Sequence, residues 1–303
     1  MTGTALVVVS YGSSDLLRAN LVATSRDTEA TVVVVDSFST TDERERVRAL
    51  SRAEGWELIE PDTNVGFGRG MNLGVAHALT IGARNFVLLN PDVTIDGAAV
   101  RGLVAHVTAE PNALVAPRIL APTGLPFAAG TIDLLLDDGT MRASARRPNP
   151  PDGRPYVSWL SGACLALSAE LWLAVGEFAD EYFLYWEDVD LSRRVQAAGG
   201  VLLVDPEIVA VHEEGGTQGR GTQRAKSEIY YYYNIRNRLL YASLWLSEQE
   251  RSRWWRTTPR AVRSVILQGG RRQLVTSVAP WRAAVRGVRD GRRLLRSGAP
   301  RSV

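Results

Sequence analysis

Sulfur is scarce in this chain of 303 residues, which has three methionines and a single cysteine, Cys164. A lone cysteine excludes an intramolecular disulfide and fits a reducing compartment, so the expected location is cytoplasmic. The opening stretch, MTGTALVVVSYG, lacks a basic region and its apolar run is too short for a signal peptide. No uncharged apolar run approaches the ~20 residues that span a bilayer. Acid is scarce where base is most dense. Positions 251–303 hold 14 arginines and one acid, Asp290, a local balance of +13 that leaves −11 on the first 250 residues. An acidic body with a basic tail implies contact with a polyanion, either nucleic acid or an anionic membrane surface. The remaining composition, 45% hydrophobic and 22% charged, suits a globular chain of one large domain, or one domain and an appendage.

Three continuous apolar runs punctuate the first third: ALVVVS (5–10), TVVVVD (31–36) and NFVLLN (85–90). Segments 15–24, 42–54 and 72–81 between them are helix-like in length and composition. Continuous β-branched runs mean strands buried on both faces, hence a parallel sheet wrapped by helices. Each run ends in polar residues, namely Ser10, Asp36, and Asn90 with Asp92. Ligands bind at that carboxyl edge in such sheets. Positions 120–155 are rich in Pro, Gly and Asp and predict loops and short strands, whereas 159–167 and 200–204 are strand-like again. After Ser227 the pattern turns helical. The boundary is expected after GGTQGRGTQ, giving a body of 1–228 and a helical, Arg/Trp-rich segment of 229–303.

Two stretches carry chemistry. YFLYWEDVDLSRR (182–194) runs aromatic residues into Glu187, Asp188 and Asp190, at the start of a helix that Gly199-Gly200 ends. Acids in a first turn complement the helix dipole; equally, aromatics beside a carboxylate exclude water and raise its pKa, which makes a general base. NVGFGRGMNLG (64–74) fails the dinucleotide fingerprint, because Gly70 falls one position early and the loop does not follow the first strand. It reads either as a turn before a helix or as a close backbone approach to a ligand, with Asn64 and Asn72 offering side-chain hydrogen bonds.

Taken in order, Asp36-Ser37, NVGFGRGMNLG, LLNPDV, WLSGACLALSAELWLAVGEFAD, YFLYWEDVDLSRR and His212 in VHEEGG resemble a family 2 glycosyltransferase of the GT-A fold. The series is most similar to bacterial rhamnosyltransferases and their galactofuranosyl-transferring relatives, over roughly residues 4–240. The resemblance implies an α/β nucleotide-sugar-binding sheet with a basic helical appendage. It also implies a donor, a dTDP-sugar ahead of a UDP-sugar, at the carboxyl edge. Ser10, Tyr11 and Asp36 would contact the nucleotide, Asp36 taking the base, with Asn64, Gly66, Asn72 and Asn90 nearby. The family's D-x-D metal motif stands here as Asn90-Pro91-Asp92, without its first acid. Asp92 and His212 would hold a divalent cation, and hard ligands suit Mg²⁺ or Mn²⁺, with a histidine favouring Mn²⁺. His77 and His106, inside helix-like segments, are expected to be structural.

By the same resemblance Asp188 is the base that takes the acceptor proton, and Glu187 and Asp190 support it or touch the acceptor. A single displacement inverts the anomeric centre. Ser161, Gly162 and Ala163, expected to precede a helix, either floor the acceptor pocket or pack tightly. Trp159 and Trp186 either stack on sugar faces or belong to the core. The acceptor is expected to be a glycan or lipid-linked precursor of the cell envelope. Residues 251–303 then read as a packed appendage or as helices on the inner face of the plasma membrane, with the membrane favoured over nucleic acid.

Overall fold

The computed structural model describes residues 3–143, 153–213 and 226–298. The first half runs β1 (Thr4–Ser10), α1 (Ser14–Leu16), a π turn at Leu17–Leu21, α2 (Val22–Arg26), β2 (Thr31–Asp36), α3 (Thr41–Glu54) and β3 (Glu57–Ile59). It continues through α4 (Phe67–Thr80), β4 (Asn85–Leu89), β5 (Val93–Thr94), α5 (Gly97–Ala109) and β6 (Ala113–Leu120). Short strands follow at β7 (Pro126–Ala128), β8 (Ile132–Leu135), β9 (Met141–Ala143) and β10 (Tyr156–Trp159), then β11 (Cys164–Ser168) and α6 (Ala169–Val175). The rest comprises α7 (Glu187–Ala197), β12 (Val201–His212), α8 (Glu228–Trp245), α9 (Glu248–Leu267), α10 (Arg271–Thr276) and α11 (Ala279–Ser297).

Among the described residues the main sheet has the order β3-β2-β1-β4-β11-β6-β12-β5, with β7 beside β6. The strands from β3 to β4 are parallel, β11 runs antiparallel between β4 and β6, and β12 is again parallel to β6. Alternation along β1 explains its burial on both faces. Leu6 and Val8 join Leu17, Leu21, Val47 and Leu103 on one side, while Val7 and Val9 join Met71, Val75, Trp172 and Leu191 on the other. The helix expected at 42–54 starts at Thr41, where the Thr40 hydroxyl accepts from Glu43 N, and stops at Gly55 with φ 69°. Ser or Thr at an N-cap and glycine in the left-handed region are the usual start and stop.

Two expectations need correction. The helix predicted at 72–81 begins at Phe67, so most of the glycine run lies inside α4. The strand predicted over 159–167 is two strands. β10 joins β8 and β9 in a separate antiparallel sheet, and Leu160–Ala163 crosses to β11 in the main one. The residues 161–163 therefore precede a strand, with α6 beyond it. The boundary stretch GGTQGRGTQ lies outside the described residues, as do residues 299–303 of the tail. From its first turns α8 packs on the body, with Tyr230 against Tyr185 and Tyr233 stacked on Phe183. Leu240, Tyr241 and Trp254 share one cluster with Tyr182, Trp186, Val189 and Leu134.

Candidate active site

Parallel register brings Ser10 beside Asp36 at the carboxyl edge. The Ser10 and Ser13 hydroxyls lie 2.9 Å apart, and Tyr11 above them is exposed. Asp36 is buried, with Oδ2 accepting from Arg44 Nε at 2.7 Å and Oδ1 lacking any partner. Burial raises its pKa, and the Arg44 hydrogen bond and charge oppose that rise. A buried oxygen left over in this way is suited to a ring N–H of a base. Ser37 Oγ donates to Asn64 Oδ1, which also accepts from Gly66 N, so Asn64 ties the loop to the sheet edge.

The glycine loop is shaped by close contact with the protein around it. Gly66 has φ 80° and ψ 179°, a conformation essentially reserved for glycine, and a Cβ there would lie 2.2 Å from Phe183 O. A Cβ at Gly74 would lie 2.3 Å from Val7 Cγ1. Missing side chains let α4 sit on β1 and against the 178–183 segment. Asn72 is likewise occupied, since its Nδ2 donates to Phe178 O and its Oδ1 accepts from Phe178 N. Gly66 and Asn72 therefore both serve the scaffold around the expected donor site.

Asn90-Pro91-Asp92 follows β4 and faces the end of β12. Asn20 Nδ2 donates to Pro91 O, and Glu213 N donates to Asp92 O, which fixes the turn from both sides. Asp92 Oδ1 and His212 Nε2 are 3.2 Å apart in buried surroundings, yet Asp92 Oδ1 makes no hydrogen bond. Asn90 Oδ1 and His212 Nδ1 are also buried without a partner. A separation of ~3 Å is what two neighbouring ligands of an octahedral cation with bonds of ~2.1 Å would have. The set is hard oxygen plus one imidazole, which fits Mg²⁺ or Mn²⁺. Among the described residues no group of three or more His, Cys, Asp or Glu is placed to hold a metal ion. His77 and His106 sit apart, against Glu57 and Asp205.

The acidic turn is built on strain. Tyr185 and Trp186 are the two non-glycine residues at positive φ, 66° and 76°, among the described residues. Asn237 of α8 holds this turn, its Nδ2 donating to both Leu184 O and Tyr185 O. Asp188 then accepts from Gly162 N at its Oδ2 and from Val189 N at its Oδ1, each at 2.9 Å. Burial pushes Asp188 up to about 6, against the two backbone hydrogen bonds. Glu187 is buried, its Oε2 has no partner, and burial with the neighbouring Asp188 charge holds its pKa well above the ordinary range. The adjacent peptides of Gly162 and Ala163 link the two halves of the site: Gly162 N donates to Asp188, and Ala163 O accepts from Asn90 N.

Two expected acceptor residues are used elsewhere. Asp190 is fully buried, accepting from Arg194 Nε and Trp245 Nε1, and so anchors α7 to α8. Trp186 is buried with its ring centroid 5.7 Å from Tyr241 and 6.3 Å from Trp254, a core tryptophan without a free face for sugar. Trp159 is half-buried with its Nε1 unpartnered, and Ser161 Oγ accepts from Ala163 N. Arg44, Asn237 and Trp245 were not foreseen. Only Arg44, in the helix after Asp36, had any local signal.

Residues 5–151 match the sequence model of glycosyl transferase family 2. Over 238 residues the chain is 26% identical to the N-acetylglucosaminyl-diphospho-decaprenol L-rhamnosyltransferase of Mycobacterium tuberculosis strain H37Rv, covering 71% of this chain and 77% of the relative. Its fold is similar to the crystal structure of GalNAc-T7 with UDP, GalNAc and Mn²⁺, with a TM-score of 0.62 at 16% identity. That match covers 85% of this chain and 50% of the longer one. It is also similar to S. aureus TarS 1-349, with a TM-score of 0.52 at 15% identity over 98% and 91% of the two chains.

Proposed function

We propose that this chain, which carries a glycosyl transferase family 2 domain on a GT-A fold, moves rhamnose or a related sugar from a dTDP-sugar to a lipid-linked cell-envelope glycan, with inversion. The observation that carries this is the Gly162–Ala163 dipeptide, which ties Asp188 to the Asn90-Pro91-Asp92 turn. One carboxylate with raised basicity thereby shares a sheet edge with Ser10, Asp36 and the Asp92–His212 pair. The rhamnosyl specificity and the lipid-linked acceptor are taken from the name of the mycobacterial relative.

In this reading Asp36 Oδ1 accepts from the ring N–H of a pyrimidine, and Arg44 keeps the carboxylate in place. Asp188 takes the acceptor's hydroxyl proton as that oxygen attacks the anomeric carbon opposite the diphosphate, and one displacement inverts the centre. General-base help of this kind is worth ~10²–10⁴-fold in rate. Glu187 stays protonated beside an ionised Asp188, because burial and the neighbouring Asp188 charge both disfavour its ionised form. Asp92 and His212 would hold Mg²⁺ or Mn²⁺, which when bound stabilises the charge of the departing diphosphate. GalNAc-T7, of the same fold, was crystallised with Mn²⁺. The enzyme would work in the cytoplasm, peripherally on the inner face of the plasma membrane.

Thermal-shift titration with dTDP, UDP and GDP, each with Mn²⁺ or chelator, tests the donor half. Ligand at 100-fold its Kd stabilises the folded state by about 2.7 kcal/mol. The expected order is dTDP above UDP above GDP, with the Mn²⁺-dependent part lost in Asp92→Ala. GDP binding tightest would overturn the base assignment, and an unchanged Mn²⁺ effect in Asp92→Ala would overturn the cation site.

A further inference from the structure

None of the donor, cation or acceptor groups comes from α9, α10 or α11, yet these helices have a pattern that internal packing does not explain. The face that α11 turns to α8 is made of small residues, Ala283, Ala284, Gly287 and Gly291. A Cβ at Gly287 would lie 2.8 Å from Tyr232 O, so the seat admits nothing larger. Leu294, Leu295 and Val288 pack inward, but a second set of large apolar side chains points outward. Val275, Val278, Trp281 and Val285 are each more than half exposed. A helix that folds for its own stability does the reverse and buries its bulk.

The exposed ridge runs into a groove of about 560 Å³ between α9 and α11. Trp255 and Val262 of α9 face Trp281, Val285 and Val288 of α11, and Arg289, Arg292, Arg293 and Arg296 stand along the rim. The Arg292 guanidinium lies 5.1 Å over the Trp255 ring. Asp290 is the acid on α11, and it pairs with Arg289 and Arg293. Among the described residues no helix is long and apolar enough to cross a membrane.

The geometry points to this face as a monotopic seat on an anionic phospholipid surface: the Val275–Val285 ridge enters the headgroup boundary and the arginine rim binds lipid phosphates. It deepens the membrane partner proposed above and does not depend on the identity of donor or acceptor. Charge complementarity selects the occupant. A second copy would set one arginine rim against another. A nucleic acid would answer the arginines but leave four outward apolar side chains in water. A lipid interface satisfies both, since indole and arginine are at home at headgroup level and aliphatic side chains below it.

The test is flotation of the full chain with phosphatidylcholine vesicles, with and without phosphatidylglycerol, in the absence of any nucleotide sugar. Wild type should bind the anionic vesicles and release as salt rises. Val278→Asp/Trp281→Asp should lower partition at least ~10-fold, and Val275→Ser/Val278→Ser, which spares the Trp281 hydrogen bond to Leu274 O, should lower it by a smaller factor. Arg292→Gln/Arg296→Gln should reduce the preference for anionic over neutral vesicles. Unchanged melting curves would show that these exposed substitutions leave the fold intact. Full vesicle binding by both ridge variants would overturn the seat, as would no binding by wild type. DNA binding that outcompetes vesicles, or a dimer that the ridge variants dissociate, would overturn the choice of occupant. Donor titration is read separately, so a failed seat leaves the transferase reading standing.

Discussion

Glu187, Asp188 and Asp190 lie within four positions and meet three different fates. Asp190 is spent on Arg194 and Trp245, Glu187 is buried with one oxygen unpartnered, and Asp188 faces Gly162 from a partly open position. Burial sets Asp188 at about 6 and Glu187 higher than any ordinary carboxylate, while in the unfolded chain both titrate near ~4. The folded protein therefore holds these protons more tightly. The pair's contribution to stability is fully present below the unfolded values and is lost as pH rises through the folded ones. Asp36, raised by burial, acts in the same direction. Asp138, Asp205 and Asp290 are held low, and what they contribute is lost only at more acid pH, below ~4. The thermal midpoint should accordingly rise as pH falls from about 7.5 to about 5, with a smaller rise in Asp188→Asn. A flat or falling midpoint in wild type would contradict the buried-pair description. The three acids were legible in the sequence, but their division of labour was not. It depends on Gly162 and Trp245, which are 26 and 55 positions from their partners.

At the scale of elements, α7 owes its starting point to α8. Two bulky residues in the left-handed region cost of order 1–3 kcal/mol each, and the Asn237 amide secures the carbonyls they redirect. Asn237→Ala would remove the donor that the Leu184 and Tyr185 carbonyls share and should destabilise the fold by about 2–4 kcal/mol. Because Asp188 sits two residues beyond the turn, kcat should fall more than KM rises, at temperatures where the variant is still folded. A variant with wild-type kcat would show that α8 supports the fold without setting the base. The strands were legible because β1, β2 and β4 are apolar runs buried on both faces, and α3 because its cap and stop residues are written in sequence. The start of α4 was not. Glycine run and loop look alike until Val7 and Phe183 show why side chains are missing. Residues 159–167 misled for a related reason, since apolar continuity does not reveal that Leu160–Ala163 changes sheets.

For the whole molecule, the division into an acidic body and a basic tail holds for charge but not for packing. Trp254 Nε1 donates to Leu136 O, and the buried Arg238 guanidinium donates to Asp138 O, so the tail's first helices brace the small sheet and the acidic turn. Desolvation brings Arg238 down to about 10, still protonated at neutral pH. The outer helices α9–α11 carry the exposed arginines and the apolar ridge. The molecule thus has its acidic groups at the strand ends and its basic surface on the outer helices. The central claim is that Asp188 deprotonates the acceptor, and rate and binding in one variant address it together. In the transfer reaction proposed above, turnover should fall ~10²–10⁴-fold in Asp188→Asn, with dTDP affinity nearly unchanged and Glu187→Gln much less affected. Near-normal transfer by Asp188→Asn, with Glu187→Gln inactive, would contradict it.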